Sequence, residues 1–336
     1  MKICMLGFGG IAKSHLKGYM ASEAKGSEDK LVAVCDIDPT RFTAKIKMNI
    51  DSGKDTLPEH IHTYTDWKEM LATEQPDIVD ICLPTYLHCE YTCKILEMGY
   101  NVQCEKPMGL NRAECDKMLE TARRTGKKLM VGMCLHFEPA YVELKNMVDD
   151  GRYGKVRSAH FERLSALPTW GFENWFPDVS RSGGVSLDMH IHDVDIIAWI
   201  FGAPKAVSAV TVATEACACR SIHSTFHYED KIISAVGEWG MSNSWSFSAG
   251  YTVNFEKASI VFNTKGKTTV YPNEGEPFDV TFDPKKHMEE EERYFADVVR
   301  GAENTVLPPE GAKESVILVE KLMESAAKDG EKVSVR

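Results

Sequence analysis

No stretch of about 18 consecutive apolar residues occurs in the chain, so no membrane-spanning helix is expected. A basic surplus is also missing. Lys and Arg number 39 against 50 Asp and Glu, a formal net charge of −11, which argues against nucleic acid or an anionic membrane as a general partner. No C-x-x-C pair exists among the 10 cysteines. The closest pairs are Cys89 with Cys93 and Cys217 with Cys219, and the histidines near them (His223, His227) lack a second spaced pair, so no metal site is expected. Cys4, Cys35, Cys82, Cys104 and Cys134 fall in apolar or helical runs, a pattern of buried, reduced thiols that fits a cytoplasmic protein. There is no low-complexity tract or internal repeat, and no signal peptide is expected, because Met1-Lys2 runs straight into an apolar strand. What remains is the composition of an ordinary globular protein, 336 residues long and 43% hydrophobic. That length divides into two domains, since single cores tend to split beyond roughly 250 residues.

The first organising stretch reads Lys2-Ile3-Cys4-Met5-Leu6, then Gly7-Phe8-Gly9-Gly10-Ile11-Ala12. A short strand becomes a glycine turn and then a helix start, the opening of a dinucleotide-binding βαβ unit. Gly7 allows the turn, Gly9 lets a pyrophosphate approach the backbone, and Ala12 lets the helix lie close on the strand. The helix N-terminus offers N–H groups and partial positive charge to the phosphates. Leu31 to Cys35 is a second apolar run, ending in Asp36, where a carboxylate accepts hydrogen bonds from the adenosine ribose hydroxyls. Asp36 favours NAD over NADP because a 2′-phosphate would meet its charge; Arg41 keeps NADP in play.

Further along, strands and helices alternate. Helices are predicted at Pro39–Ile50, Trp67–Ala72 (capped by Asp66), Tyr91–Met98 and Arg112–Thr125 (Asn111 as N-cap, Gly126 as stop). Asp51 to Ile61 reads as a loop. Strands are predicted at Asp77–Leu83, Val102–Cys104 and Leu129–Met133. This pattern predicts an α/β fold with a doubly wound parallel sheet. Ligands of such sheets sit at the carboxyl ends of the strands, which gathers Gly7, Asp36, Pro84-Thr85 and Glu105-Lys106 on one rim. From Val156 the pattern changes to β-alternation at Val156–Leu164, Ala206–Ala213, Lys231–Trp239, Trp245–Phe255 and Ala258–Phe262, an antiparallel sheet in a second layer or domain. Helices at Pro284–Arg300 and Glu310–Ala327 close the chain. The acid run Glu289 to Glu292 reads as the solvated face of the first of these.

Chemistry concentrates in two places. Lys106, at a strand end and followed by Pro107, can donate to a substrate hydroxyl or a developing alkoxide. The second place is Ser182-Gly183-Gly184, a loop opening into a helix that carries Asp188, His192 and Asp195. Asp188 and His192 are four apart, within side-chain reach on one helical face. A carboxylate beside an imidazole raises its pKa and orients it as a general base. His190 and Asp193 fall on other faces and read as structural. The loop Leu167 to Phe176 holds four aromatics, and its Trp170 and Trp175 suit stacking on sugar C–H surfaces and nicotinamide.

Together these motifs resemble the glucose–fructose oxidoreductase/inositol dehydrogenase (Gfo/Idh/MocA) family over nearly the whole chain. The most specific marks are Glu105-Lys106-Pro107 and Gly183-Gly184 with Asp188, His192 and Asp195. Leu83-Pro84-Thr85-Tyr86-Leu87-His88 is similar to the family's Thr-Pro-Asn-x-x-His segment, with Leu83 for Thr and Thr85 for Asn. His136 stands where Arg is frequent. The resemblance implies a Rossmann domain (1–130) and a substrate-binding and oligomerisation α/β domain (131–336) with a large, mostly antiparallel open sheet. It implies a homodimer or homotetramer, and hydride transfer between a nicotinamide and a sugar or cyclic polyol. Lys106, Asp188 and His192 match the family's catalytic residues. Gly7 to Ile11, Asp36, Pro84, Thr85, His88, Glu105, Lys106 and Trp175 fall to the cofactor. Lys106, His136, Trp170, Asp188 and His192 fall to the substrate. Two rival readings are a redox-neutral, NAD-dependent glycoside-cleaving enzyme and a non-catalytic dinucleotide-sensing protein.

Overall fold

A computed structural model describes residues 1–43, 57–264, 266–282 and 287–335. The chain forms two compact units. The first comprises Met1–Cys134, Thr169–Trp175 and Lys286–Lys313, and the second comprises Leu135–Pro168, Phe176–Lys285 and Glu314–Arg336.

The first unit alternates β1 (Lys2–Leu6), α1 (Gly10–Ala24), β2 (Lys30–Cys35), β3 (His62–Tyr64), α2 (Trp67–Glu74), β4 (Ile78–Ile81), α3 (Thr85–Glu97), β5 (Asn101–Glu105), α4 (Arg112–Thr125) and β6 (Leu129–Gly132). Its six strands are parallel, in the order β3-β2-β1-β4-β5-β6. The doubly wound architecture is therefore as the alternation implies. Local chemistry sets several boundaries: Asp66 and Asn111 cap α2 and α4, accepting from Lys68 N–H and Glu114 N–H, and Gly126 ends α4 in a left-handed conformation. α3 starts at Thr85, six residues before the predicted Tyr91, with Pro84 preceding it. Only Pro39–Phe42 of the predicted Pro39–Ile50 helix is described, as a 3₁₀ turn capped by Asp38; residues 44–50, and 51–56 of the predicted loop, lie outside the described residues.

The second unit contains α5 (Pro139–Asp149), β7 (Val156–Leu164), the short α6 (Val179–Ser182) and α7 (Gly184–Asp188), α8 (Ile191–Phe201), then β8 (Ala206–Thr214), β9 (Cys217–His227), β10 (Ile232–Glu238), β11 (Ser248–Phe255), β12 (Ala258–Asn263), β13 (Thr269–Pro272) and β14 (Phe278–Asp279). With β15 (Val333–Ser334) they form a nine-stranded sheet ordered β14-β13-β12-β11-β7-β10-β9-β8-β15. Among the described residues, only the β7–β10 pairing of this sheet is parallel; the rest are antiparallel. β9 is the longest strand of the sheet and was absent from the expected set; its sequence alternates small and polar residues, CACRSIHSTFH, so its apolar face is faint. Side chains alternate across the sheet. α7 and α8 cover one face, on β9, β10 and β7. The opposite face includes exposed Val210, Val212 and Ile232.

The chain continues through α9 (His287–Val299) and α10 (Pro309–Ala326). The acid run on α9 is not a solvated face. Glu289, Glu291 and Glu292 are buried, Glu291 completely. The reason is local room in the first unit: α9 packs on α1, and a side chain at Gly18 would collide with the Glu292 carboxylate, while Glu291 Oε1 lies against Gly132.

Candidate active site

In the first unit, the carboxyl ends of β1, β2, β4 and β5 carry most of the expected cofactor residues. Gly7 follows β1 with φ +90°, and a Cβ there would sit 2.6 Å from the Cys82 carbonyl oxygen, so the turn admits only glycine. Gly9 precedes α1, and a Cβ built on it meets nothing within 4 Å, leaving an open approach to the backbone. α1 starts at Gly10 and Ile11 with no side-chain cap and no acid in its first turn. Its N-terminal N–H groups and dipole are thus suited to an anion. Ala12 is completely buried. Asp36 is tied into the same turn: Oδ2 accepts the Phe8 N–H at 2.7 Å and Oδ1 accepts the Asp38 N–H at 2.9 Å. Each oxygen keeps a lone pair that can accept a ribose hydroxyl. Arg41 lies 3.5 Å from Asp38 and its guanidinium stands 6.0 Å from the Phe172 ring.

Other expected cofactor residues turn inward. Thr85 is buried in the first turn of α3. His88 is buried between the carbonyl oxygens of Pro107 (2.7 Å) and Leu83 (2.8 Å), and burial pulls its pKa down. Its ring braces the two rim loops. The Glu105 side chain faces the interior, where Oε1 accepts from His15 Nε2 at 2.8 Å and Oε2 accepts the Lys106 N–H at 3.1 Å. Burial on its own raises the Glu105 pKa, but the His15 hydrogen bond and charge outweigh it and hold the carboxylate low. Lys106 itself is half-buried at the end of β5, and its bond to Pro107 is cis. In the aromatic loop, Trp175 is buried and Trp170 half-buried.

In the second unit, Gly183 and Gly184 both have positive φ (+74° and +68°), and a Cβ on Gly184 would lie 2.9 Å from the Cys219 carbonyl oxygen. The helix beyond them is broken. Asp188 is the last residue of α7 and His192 the second of α8, with Met189-His190 between. The expected single helical face is therefore interrupted, although the backbone stays right-handed helical at both intervening residues. Asp188 and His192 are half-buried, whereas His190 and Asp193 are buried. His190 Nε2 bonds Ser224 Oγ at 2.8 Å, and Asp193 accepts from Arg163 at 3.0 and 3.2 Å. Asp195 is committed elsewhere: Oδ2 meets His136 Nε2 at 2.7 Å and Oδ1 accepts from Ser315 Oγ at 2.8 Å. The His136 ring stacks on Trp199 (4.3 Å), and its Nδ1 is buried with no hydrogen-bond partner.

Sequence reasoning passed over His15, Tyr19 and Asp80. A signal for the first two existed: Ala12, His15 and Tyr19 recur at helical spacing on the buried face of α1.

A parallel sheet with a glycine turn at its switch point is the dinucleotide-binding arrangement, and a large open sheet follows it. A family model described as "Oxidoreductase family, NAD-binding Rossmann fold" matches residues 1–133, and a second, "GFO/IDH/MocA C-terminal domain", matches residues 141–266. The chain belongs to the Gfo/Idh/MocA family, and its first unit carries that family's NAD-binding fold. Among curated relatives, D-glucoside 3-dehydrogenase of Escherichia coli is 29% identical over 62% of this chain and 57% of its own length. The 2,7-anhydro-N-acetylneuraminate hydratase of Mediterraneibacter gnavus is 33% identical over 43% of this chain and 38% of its own. The chain thus spans little more than half, or less, of these relatives. The solved structure of levoglucosan dehydrogenase in complex with NADH and levoglucosan shares the fold, with TM-score 0.83 and 17% identity over 100% of this chain and 99% of that one.

Proposed function

We propose that the protein is an NAD(P)-dependent dehydrogenase that moves a hydride between a hydroxyl-bearing carbon of a sugar or cyclic polyol and nicotinamide. The observation that carries this reading is the end of β5. Lys106 leaves the sheet on the same carboxyl rim as the Gly7 turn and Asp36, with its backbone held by Glu105. NAD, when bound, supplies the hydride acceptor. The chain's residues do the rest. His192, oriented by Asp188, takes the hydroxyl proton. Lys106 donates a hydrogen bond to that oxygen as charge develops on it. His136 and Trp170 line the sugar, and Trp175 the cofactor. Asp36 makes NAD the preferred dinucleotide. A D-glucoside dehydrogenase among the relatives supports the substrate class.

The relative named a hydratase keeps a second reading in view, a reaction with no net redox change. One assay separates them: the protein is incubated with NAD and a panel of aldoses, glycosides and inositols. Stoichiometric NADH absorbance at 340 nm supports the dehydrogenase. Cleavage or hydration without NADH supports the second reading, and cofactor binding with no turnover on any of the panel supports a dinucleotide sensor.

A reducing, cytoplasmic setting fits the ten cysteines, all free thiols and nine of them buried, and among the described residues no helix is long and apolar enough to cross a membrane. Self-association into a dimer or tetramer through the open sheet face fits the exposed Val210, Val212 and Ile232. Light scattering of the purified protein reads the mass directly, and a monomer at micromolar concentration removes that proposal.

A further inference from the structure

Behind the end of β5 lies a buried charged cluster that the proposed reaction does not use. His15 is fully buried, with Nδ1 2.8 Å from Asp80 Oδ2 and Nε2 2.8 Å from Glu105 Oε1. A ring with one proton would set a nitrogen lone pair against one of these carboxylates, so both nitrogens donate and the ring is an imidazolium. Burial alone would lower the His15 pKa, but the Asp80 charge and hydrogen bond outweigh it and hold it well above the ordinary value. Asp80 also accepts from Tyr19 Oη at 3.0 Å and from the Cys82 thiol at 3.7 Å. His15, Asp80 and Cys82 bring metal-ligating atoms within 4.8 Å of one another, yet the doubly donating ring leaves no nitrogen lone pair for a metal. Glu291 and Glu292 stand at the edge of the cluster, and none of their four carboxyl oxygens has a hydrogen-bond partner. Burial first, then the neighbouring carboxylates against the opposing His15 charge, push both well above the ordinary range. Asp80, His15 and Glu105 thus form a line of hydrogen bonds that ends at the backbone of Lys106.

We propose that His15 is a positioning residue for hydride transfer. As a buried imidazolium it clamps Glu105, and Glu105 accepts the Lys106 N–H, so the clamp sets where the lysine leaves β5. The inference rests on the reading of Lys106 as the group that bonds the reacting hydroxyl. Misplacement of a reacting group by about 1 Å costs on the order of 10²-fold in rate. His15→Ala is therefore expected to lower kcat by about 10- to 100-fold, with KM and the NAD Kd within about twofold of wild type. Added imidazole, which can enter the vacated space, should restore much of the loss. Glu291→Gln, a neutral isostere in the same cluster, should leave kcat unchanged. Wild-type kcat in His15→Ala, or a loss matched by an equal loss of NAD affinity and untouched by imidazole, overturns the proposal. Should His15→Ala fail to fold, ¹⁵N-histidine spectra of the intact NAD-bound protein decide, with the signal assigned by difference from His15→Gln: two protonated ring nitrogens at pH 8 are expected, and a singly protonated ring overturns it. Lys106→Ala run alongside keeps the two readings apart. Full turnover in that variant sinks the role of Lys106, whereas an inactive Lys106→Ala beside a fully active His15→Ala sinks the clamp alone.

Discussion

Each unit buries a histidine against carboxylates, and the two are used differently. His15 in the first unit gives both ring nitrogens to Asp80 and Glu105. His136 in the second gives one to Asp195 and leaves Nδ1 without a partner. A ring held from both sides cannot turn and has nothing left to offer a ligand, so it suits a scaffold for a neighbouring backbone. A ring held from one side is oriented yet keeps one ring nitrogen uncommitted. The same contrast extends to the surroundings. The first unit's cofactor turn is made of backbone groups and glycines, while the candidate chemistry of the second unit rests on side chains at the start of α8.

The largest expected effects come from removing the proposed reacting group of each unit in turn. Lys106→Ala and His192→Ala should each lower kcat by about 10²- to 10⁴-fold while the NAD Kd stays put; wild-type rates in either would dissolve the division of labour. Next come paired glycine changes. A Cβ at Gly7 would lie 2.6 Å from the Cys82 carbonyl oxygen, and one at Gly250 would fall on that of Phe262 in the adjacent strand. Each Gly→Ala change should cost roughly 1–3 kcal/mol, seen as a Tm lower by several degrees. Only Gly7→Ala should also weaken NAD binding, and an equal effect of Gly250→Ala on NAD would blur the contrast. The smallest effects are single hydrogen bonds, about tenfold each. Asp36→Ala should weaken NAD more than NADP, read by titration of each dinucleotide. His136→Ala should raise KM for the sugar and leave both dinucleotides alone. A His136 variant with unchanged KM would place that ring in the core with His190.

Much of this was legible before any coordinates. Asn111 and Gly126 mark the bounds of α4 because capping is decided within one turn of chain. Most of the alternation from β1 to β6 is legible because the longer elements show their own apolar period. Other features were opaque for equally physical reasons. β3 is three residues, His62-Thr63-Tyr64, on the edge of the sheet, too short and too polar for a pattern. The break between α7 and α8 leaves no mark in residue spacing, so the four-residue interval from Asp188 to His192 reads as an unbroken turn of helix.

By itself, the amino-acid sequence determined the class of fold, the glycine turn and the residues worth suspecting, because turns, caps and strand periods act over a few neighbours. Tertiary structure alone decided the order of the strands and which of the suspects are occupied: His88 by two carbonyls, Glu105 by His15, Asp195 by His136. It also decided that an acid run, Glu289 to Glu292, goes largely inside. Burial of a charge depends on partners distant in the chain and on the space left by Gly18 and Gly132, and neither is written in the local run of residues.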